Sequence, residues 1–411
     1  MKAILLLLAL MLLMPISALG EPVDTVTLFV ATDLHYLAPE LTDHGPCFER
    51  SITRADGKVM AYSEELIEAF AAQVIDRQPD VLVLSGDLSL NGERASHEAL
   101  ADKLSRIEEA GIPVLVIPGN HDLNSRNAVR FEAESYERVD SVTAEEFRSI
   151  YQPFGYDGAL SRDPASLSYI CSVSDNLRIL MVDVNTADLP GAALPQTVDW
   201  IREQLTQATR DGCRVIAVSH QNLINHSDLH ASNFNIINAN VLRMLYADYP
   251  VLCNLSGHIH MQHTNVTNAG IWDIVTSSLA VSPNQYGVLT ISESGLSYHT
   301  EPVEVSAWAS AMDLDDPNLL DFSTYSEEFF KATARRQALS VISQDECPEQ
   351  LADFFAALNA AYFAGRMDTF TPDTQLLARW QQQPVRLAQY IDSIVQESPR
   401  SHCELTLGIM P

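Results

Sequence analysis

Short segments that carry histidine, aspartate and asparagine follow five apolar, β-rich runs of this sequence. In chain order they are Asp33-Leu34-His35, Ser85-Gly86-Asp87, Gly119-Asn120-His121-Asp122, His220 and Gly257-His258-Ile259-His260. Ligand crevices of open α/β sheets lie beyond the carboxyl ends of the strands, so these segments are predicted to meet at one rim. Alternation along an extended backbone places the imidazoles of His258 and His260 on the same face.

Side chains of these types are metal ligands. Imidazoles combined with carboxylates suit Zn, Fe or Mn, whereas oxygens alone suit Ca or Mg. The candidate ligands are Asp33, His35, Asp87, Asn120, His220, His258 and His260. Because they outnumber the ligands of one tetrahedral ion, we predict two divalent ions about 3.5–4 Å apart, with one bridging carboxylate and a shared hydroxide as nucleophile. Asn120 would add an oxygen without cancelling positive charge, so the centre is expected to bind anions.

Each motif alone has an ordinary structural explanation. Asp33 and His35 fit a turn beside a surface histidine, Gly86-Asp87 fits a plain turn, and His220 fits a core histidine. Their shared position after apolar runs favours metal binding over these explanations. The sequence contains no G-x-S-x-G, H-E-x-x-H, P-loop or G-x-G-x-x-G motif, so serine hydrolases, zincins, NTPases and dinucleotide-binding proteins lack support.

The elements that must position these residues alternate between strand-like and helix-like patterns from about residue 25 to 300. The predicted strands are Val26–Thr32, Val81–Leu84, Val114–Ile117, Leu177–Val184, Arg214–Ser219, Val251–Leu255, Trp272–Thr276, Gly287–Ile291 and Leu296–Thr300. The predicted helices among them are Ser63–Arg77, with Leu66, Ala69, Phe70 and Val74 on one face, Arg94–Ala110 and Thr197–Ala208. Strands separated by helices indicate a layered α/β fold, and the helix-poor end indicates antiparallel closure.

The pattern changes after Val305. Helical patterns occur near Ser326–Ser343, Pro348–Ala364 and Asp373–Glu397, with no convincing strand, and Asp313–Asn318 has the composition of a linker. We therefore expect a catalytic domain at residues 21–305 and a separate helical domain at residues 306–411.

Composition excludes two classes of protein. The chain has 411 residues, 25 of them Lys or Arg and 54 Asp or Glu, for a net charge of −29. A hydrophobic content of 46% is enough for a core, so a disordered polyelectrolyte is excluded. A protein that binds long DNA or RNA needs basic stripes on its surface. Lysine occurs only at positions 2, 58, 103 and 331, so we do not expect such a ligand.

Residues 1–20 have the order of a secretory signal peptide: Lys2, an apolar run from Ala3 to Met14, Pro15 and small residues. We expect export with cleavage and no stable membrane insertion afterwards; the alternative is an uncleaved N-terminal membrane anchor. Export permits disulfides. Cys171, Cys213 and Cys253 are expected to be buried thiols, and Cys347 and Cys403 are either bridged or free.

The quoted segments resemble those of the calcineurin-like metallophosphoesterases. Three further runs look like the cyclic nucleotide phosphodiesterase branch: Thr32–Leu41, Leu84–Glu93 with His97, and Ile271–Leu279. Residues 306–411 are similar to the C-terminal domain of exported bacterial members. The resemblance implies an α/β fold, a layered α/β/β/α sandwich, followed by an all-helical C-terminal domain.

The resemblance also implies roles for the site residues. One ion would be held by Asp33, His35 and His260, the other by Asn120, His220 and His258, with Asp87 bridging them. His121 would be catalytic, facing the substrate to stabilise the transition state or protonate the leaving oxygen. Members of the branch often have a second histidine where this chain has Gln221, and this departure weakens the cyclic-nucleotide assignment but not the metal centre.

Other polar residues have weaker assignments. Asp122, Asn91 and His97 are candidates for the surroundings of the metals or for substrate contact, and His226 and His230 for the surface or those surroundings. Asp56-Gly57-Lys58 is expected to be a solvated turn, with phosphate contact as the alternative. Tyr36 and Tyr286 would either stack on a base or pack in the core.

The function expected from these features is metal-dependent hydrolysis of cyclic nucleotides or other small phosphodiesters. Two divalent ions, Mn, Fe or Zn, are the expected cofactors, and the oligomeric state is left open. The alternatives are an exported phosphomonoesterase or nucleotidase with the same centre, and a catalytically silent surface interaction protein.

Overall fold

The computed structural model describes residues 25–227, 234–342, 345–397 and 399–408. The proposed signal peptide and His230 lie outside these ranges. The strands are β1 (Val26–Ala31), β2 (Val81–Leu84), β3 (Val114–Val116), β4 (Val129–Glu132), β5 (Ser135–Arg138), β6 (Ser161–Arg162), β7 (Tyr169–Ser174), β8 (Leu177–Val182), β9 (Arg214–Ser219), β10 (Val251–Ser256), β11 (His263–Val266), β12 (Trp272–Val275), β13 (Gln285–Ile291), β14 (Gly295–Pro302) and β15 (Glu404–Gly408).

The helices flank these strands and then dominate the C-terminal quarter. They are α1 (Pro46–Arg54), α2 (Ser63–Arg77), α3 (Arg94–Glu109), α4 (Ala144–Ile150), α5 (Pro195–Arg210), α6 (Ala239–Ala247), α7 (Val305–Ala311), α8 (Pro317–Leu320), α9 (Phe322–Ile342), α10 (Pro348–Phe363), α11 (Thr374–Gln381) and α12 (Arg386–Gln396). In the described part of the chain, no helix combines the length and the apolarity that crossing a membrane requires.

Two mixed sheets form the centre of the molecule. The first has the order β15-β14-β13-β1-β2-β3 and the second the order β11-β12-β10-β9-β8-β7-β6. Strands β1, β2 and β3 are parallel, as are β8, β9, β10 and β12, whereas β13 pairs with β1 in the antiparallel sense. The parallel strands direct their carboxyl ends, and the polar segments that follow, towards the same rim.

The second sheet is buried on both faces. Along β8, Ile179 and Met181 belong to the large core that also contains β1, β2, α2 and α3. Their neighbours Leu180 and Val182 belong instead to a core with residues of α5 and α6. This alternation is what a strand with a layer on each side requires, and it confirms the layered α/β/β/α prediction. The predicted α2 face is buried as expected at Leu66, Ala69, Phe70 and Val74.

The C-terminal region is helical from α7 to α12, with three differences from the sequence prediction. The single helix predicted at Asp373–Glu397 is two helices, because Pro384 has no N–H and restricts the residue before it. The prediction that residues 306–411 contain no strand was wrong. Strand β15 pairs antiparallel with β14, and the predicted linker Asp313–Asn318 contains the start of α8.

Several short elements were not predicted from the sequence, and each depends on distant partners. The β4–β5 hairpin is largely exposed, so its strands lack apolar alternation. Strand β11 has the sequence His-Thr-Asn-Val, which is too polar to predict a strand. Its antiparallel pairing with β12 holds it in the sheet. Strand β15 follows a helical region and gains its place only from β14.

All six cysteines are free thiols, so the alternative of a Cys347–Cys403 bridge was wrong. Cys171, Cys213 and Cys253 are buried, as predicted. The Cys403 thiol donates instead to the carbonyl oxygen of Ala364 at 3.1 Å.

We therefore expect the protein to contain no disulfide. Protein denatured without reductant should take up six alkyl groups per chain, because all six sulfurs are thiols. Intact-mass spectrometry with and without reductant measures this number. Uptake of only four groups before reduction and six afterwards would contradict the structure.

Candidate metal centre

The five predicted segments converge at the carboxyl ends of the strands, where backbone hydrogen bonds join their loops. Asp33 N–H donates to the carbonyl oxygen of Gly86 at 2.9 Å, and His35 N–H donates to that of Asp87 at 3.0 Å. Gly257 N–H donates to the carbonyl oxygen of His220 at 3.0 Å. These contacts fix the ligand loops to one another before any cation is bound.

The candidate ligands lie on an unusual backbone. Positive φ angles occur at Asp33 (51°), His35 (44°), Asp87 (50°), His258 (70°) and His260 (63°). Such conformations cost about 1–3 kcal/mol each for residues with a Cβ, and they cluster at functional sites. Here they allow residues two apart in a loop to aim both side chains into one space.

Two glycines allow the carboxylates to approach the neighbouring loops. A Cβ on Gly119 would collide with Oδ1 of Asp87, and a Cβ on Gly257 would collide with Thr32 Oγ1 and lie 2.5 Å from Oδ2 of Asp33. The glycines of the Gly-Asn-His-Asp and Gly-His-x-His segments are thus required by close packing.

Asp33, His35, Asp87 and His260 form the first group of candidate ligands, whose donor atoms lie within 4.8 Å of one another. The Nε2 atoms of His35 and His260 are 3.1 Å apart. Asp33 Oδ1 lies 3.2 Å from His260 Nε2, and Asp87 Oδ2 lies 3.8 Å from His35 Nε2. Four candidate metal-ligating side chains thus face one small volume.

Asp87, His220 and His258 form the second group. His220 Nε2 is 3.3 Å from Asp87 Oδ2 and 3.1 Å from Oδ1 of Asn120, which is exposed. Asp87 therefore belongs to both groups, and its side chain is 1% exposed. A carboxylate shared in this way is placed where a bridging ligand of two cations would lie.

The donor set fits divalent cations. Asp33 Oδ1 is buried and accepts no hydrogen bond of acceptable geometry from the described residues, a state that a cation would relieve. His220 Nδ1 lies 3.0 Å from the carbonyl oxygen of Ser85, so Nδ1 carries a proton and Nε2 is the nitrogen that faces the site, where a cation would replace any proton on it. Outer hydrogen bonds of this type orient histidine ligands.

The site has a strongly negative potential. Burial alone would lower the pKa of His220 and His260, but the carboxylates outweigh it. Asp87 and Asp33 raise the pKa of His220 to about 9, and Asp33 raises that of His260 to about 9. Burial would raise the pKa of Asp87, yet His220, His121 and His35 hold it well below the usual range. The potential that attracts protons to these histidines also attracts cations.

His121 lies beside this centre with its side chain 35% exposed. Its backbone N–H donates to Asp87 Oδ1 at 2.8 Å. Its Nδ1–H donates to the carbonyl oxygen of Leu90 at 2.9 Å, with Asn91 Oδ1 also 3.1 Å away. These contacts leave Nε2 directed towards the site, 3.9 Å from Asp87 Oδ2.

Asp122 is buried and joins two of the loops that carry candidate ligands. Its carboxylate accepts hydrogen bonds from Leu88 N, Ser89 N, Ser89 Oγ and Gly119 N at 2.8–3.1 Å, which ties the loop after β2 to the loop after β3. His97 supports the same junction: its Nε2 contacts Ser89 Oγ and the Asp122 carbonyl, and its Nδ1 contacts Tyr151. His97 is fully buried, so it lies away from any substrate.

The Asp56-Gly57-Lys58 segment supports the first ligand group, a role that its sequence did not predict. Asp56 Oδ2 lies 3.3 Å from His260 Nδ1 and accepts from Lys58 Nζ at 2.9 Å. Gly57 and Lys58 are buried, so the expectation of a solvated turn was wrong for these two residues, whereas the Asp56 side chain is 52% exposed. A carboxylate behind a histidine ligand fixes its tautomer and orientation. The sequence signal for this role was an acidic residue beside a glycine in a turn, and such turns are too common to predict it.

The remaining candidates are buried and engaged with residues other than the candidate ligands. Tyr36 and Tyr286 are fully buried and donate to Glu64 and Glu301, so neither is available to stack on a base. Gln221 is buried and bonded to Asn185. His226 was expected at the surface or around the metals, but it is buried between Asp273 and His263.

His263, Glu397 and His402 form a third cluster of possible ligands. Here Thr264 N–H donates to His402 Nδ1 at 3.1 Å, so that nitrogen carries no proton and Nε2 does. His402 Nε2 and His263 Nε2 lie 3.3 and 2.6 Å from Glu397 Oε1. The Glu397 carboxylate thus accepts hydrogen bonds from the N–H groups of both imidazoles. The cluster therefore links β11 to the residue that follows α12.

The chain belongs to the calcineurin-like phosphoesterase family, which matches residues 26–262. Membership makes it a metallophosphoesterase, a hydrolase of phosphoric esters. Residues 304–400 match the C-terminal domain of cyclic nucleotide phosphodiesterase.

Two curated relatives carry the same designation. A "Probable cyclic nucleotide phosphodiesterase" of Psychrobacter arcticus is 26% identical over 262 residues, 61% of this chain and 79% of the relative. Another from Synechococcus sp. is 38% identical over 91 residues, 21% of this chain and 34% of the relative.

Among solved structures, a dimetal phosphatase from Danio rerio matches with a TM-score of 0.49 and 16% identity, covering 68% of this chain and 96% of that one. GAP50, the anchor in the inner membrane complex of Plasmodium, matches with a TM-score of 0.42 and 14% identity, covering 68% and 85%.

Asp56→Asn should weaken cation binding at the site that includes His260 by about 10-fold, because the amide orients the imidazole less strongly than the carboxylate. Asp76→Asn is the matched control, since it removes the same charge from an exposed position on α2. Calorimetric titration with Mn²⁺ or Zn²⁺ gives both affinities. Equal affinities in the two variants would show that Asp56 does not support the ligand.

Proposed function

We propose that this protein hydrolyses cyclic nucleotides or other small phosphodiesters at a centre of two divalent cations. The observation that carries the proposal is the pair of ligand groups that share the buried Asp87. Family membership supports phosphoric ester chemistry, and the designation of the two relatives supports the diester.

In this proposal Asp33, His35 and His260 hold one cation, Asn120, His220 and His258 hold the other, and Asp87 bridges them. The donor set of imidazole and carboxylate favours Mn, Fe or Zn. Bound cations would polarise the phosphate oxygens and lower the pKa of an attacking water.

The protein's own groups would then position the reaction. Leu90 and Asn91 hold Nδ1 of His121, so that Nε2 faces the substrate. As a water oxygen bonds to phosphorus and the P–O bond to the leaving alcohol breaks, the imidazolium form of His121 would give its Nε2 proton to the leaving oxygen and keep Nδ1–H, while the proton lost by the water passes to solvent. Asp122 maintains the geometry by joining the loops that carry Asp87 and Asn120.

A small substrate fits the electrostatics better than a polymer. The net charge of −29 repels long nucleic acids, whereas a single phosphate needs only the local positive potential of the cations. The proposal includes export through residues 1–20, which is compatible with a small extracytoplasmic substrate.

A substrate panel tests the reaction. Purified protein reconstituted with Mn²⁺, Fe²⁺ or Zn²⁺ should hydrolyse cyclic nucleotides and bis(p-nitrophenyl) phosphate. Chelation should abolish turnover, because the ligand groups left behind are carboxylates and imidazoles, which cannot replace the cations. Turnover is measured by chromatography and absorbance. Turnover of p-nitrophenyl phosphate alone would contradict the diester assignment and favour a phosphomonoesterase. Absence of all turnover, with fewer than two bound ions, would favour a surface interaction protein.

Two substitutions should separate binding from proton transfer. Asp87→Asn should lower metal content and abolish turnover, because both groups lose a charged ligand. His121→Ala should keep its metal content and lose about 10²–10⁴-fold in kcat, the usual contribution of a positioned general acid. Elemental analysis and steady-state kinetics distinguish them. Full activity in Asp87→Asn would refute the bridge, and metal loss in His121→Ala would refute the assigned role of that residue.

A further inference from the structure

A cavity of about 710 Å³ lies between the metal centre and the C-terminal helices. His258 and His260 line one side together with Asp56, and residues of α9, α10 and α12 line the other. The volume is within the range of small-molecule sites, roughly 300–1,000 Å³. Because two candidate metal ligands line this cavity, a phosphate at the centre would have its ester group directed towards it.

The walls of the cavity are rich in aromatic rings. Phe330 of α9 and Phe363 of α10 lie with ring centroids 5.1 Å apart. Phe234 lies over the His258 ring at 5.0 Å. Ring faces of this kind bind flat heteroaromatic groups by stacking.

Polar groups accompany the rings. Thr333, Gln337, Asn359 and Arg386 also line the cavity. Arg386 is exposed at the start of α12 and, among the described residues that line the cavity, is the one with a permanent positive charge. An acyl chain would leave these groups unused, whereas the edge of a nucleobase offers acceptors for guanidinium and amide donors.

The helices are attached firmly to the loops of the centre. Gln262 N–H, two residues after His260, donates to the carbonyl oxygen of Phe363 at 2.8 Å. Gly57 packs so closely on Phe330 that a Cβ there would lie 2.6 Å from the ring. The cavity walls and the ligand loops therefore form one continuous structure.

We propose that this cavity binds the nucleoside portion of the substrate, so that the C-terminal helices determine which phosphoesters are accepted. This inference rests on the proposed function. The half-buried rings of Phe234 and Phe363 supply stacking faces, with the buried Phe330 packed behind Phe363, and Arg386 contacts the polar edge of the base. Tyr36 and Tyr286, for which the sequence left base stacking and core packing both open, are buried elsewhere and have no part in it.

The kinetic experiment compares a nucleoside 3′,5′-cyclic phosphate with the 3′,5′-cyclic phosphate of 1-O-methylribose, which lacks the base. Gln337→Trp fills the cavity from an exposed position, and Arg386→Ala removes its positive charge. Both should lower kcat/KM for the nucleotide about 5- to 100-fold and change it less than about twofold for the baseless ester. The controls are Ser340→Trp and Gln389→Ala, exposed on the same two helices and outside the cavity lining.

A binding measurement separates this inference from the proposed function. Saturation-transfer NMR with adenosine and guanosine, which have no phosphate to hydrolyse, should show contact with the metal-loaded protein and with both controls, and weakened contact with both cavity variants. Cyclic-nucleotide turnover with equal kcat/KM in cavity and control variants would overturn the inference and leave the function intact. Nucleoside binding without any turnover would overturn the function and leave the cavity assignment intact.

Discussion

The structure depends on keeping two carboxylates buried within a few ångströms of each other. Asp33 and Asp87 are almost inaccessible, and each is surrounded by histidines whose own burial works against a positive charge. Such an arrangement is stable only if cations or protons compensate it. The surrounding loops are built for this purpose, with glycines where a Cβ would displace the carboxylates and left-handed backbone where two ligands must share one space.

The layered fold provides the rigidity that this concentration of charge requires. The ligand loops leave parallel strands of two facing sheets, and both sheets are anchored by apolar side chains on both of their faces. Asp122 adds a second level of support, since one buried carboxylate holds the two loops that carry Asp87 and Asn120. Any shift of one strand end would therefore be transmitted to both ligand groups.

The parts of the fold and site predictable from sequence are those encoded locally. Apolar runs followed at once by Asp33, Asp87, Asn120 or His220 carry their own signal, because strand ends and ligands are neighbours in the chain. The missed features have distant partners. Strand β15 is recognisable only through β14, and Asp56 gains its role only from His260, about 200 residues further on. Likewise, His226 is polar in sequence but is buried by Asp273 and His263, which no periodicity predicts.

The acidic composition has a different meaning once the site is known. A net charge of −29 describes the long-range field, which salt screens within about 8–10 Å. A phosphate that enters a crevice with bound cations would respond mainly to the nearest charges. Near the centre, the field of the cations would therefore outweigh the net charge of the protein. Under the proposed function, net charge limits the size and charge of the substrate rather than its chemistry. Each added phosphate of a polymer would meet the acidic surface, whereas one small phosphoester would meet only the centre. Arg386 lines the adjoining cavity, so one of the chain's 25 lysines and arginines lies where the base of such an ester would bind rather than at its phosphate.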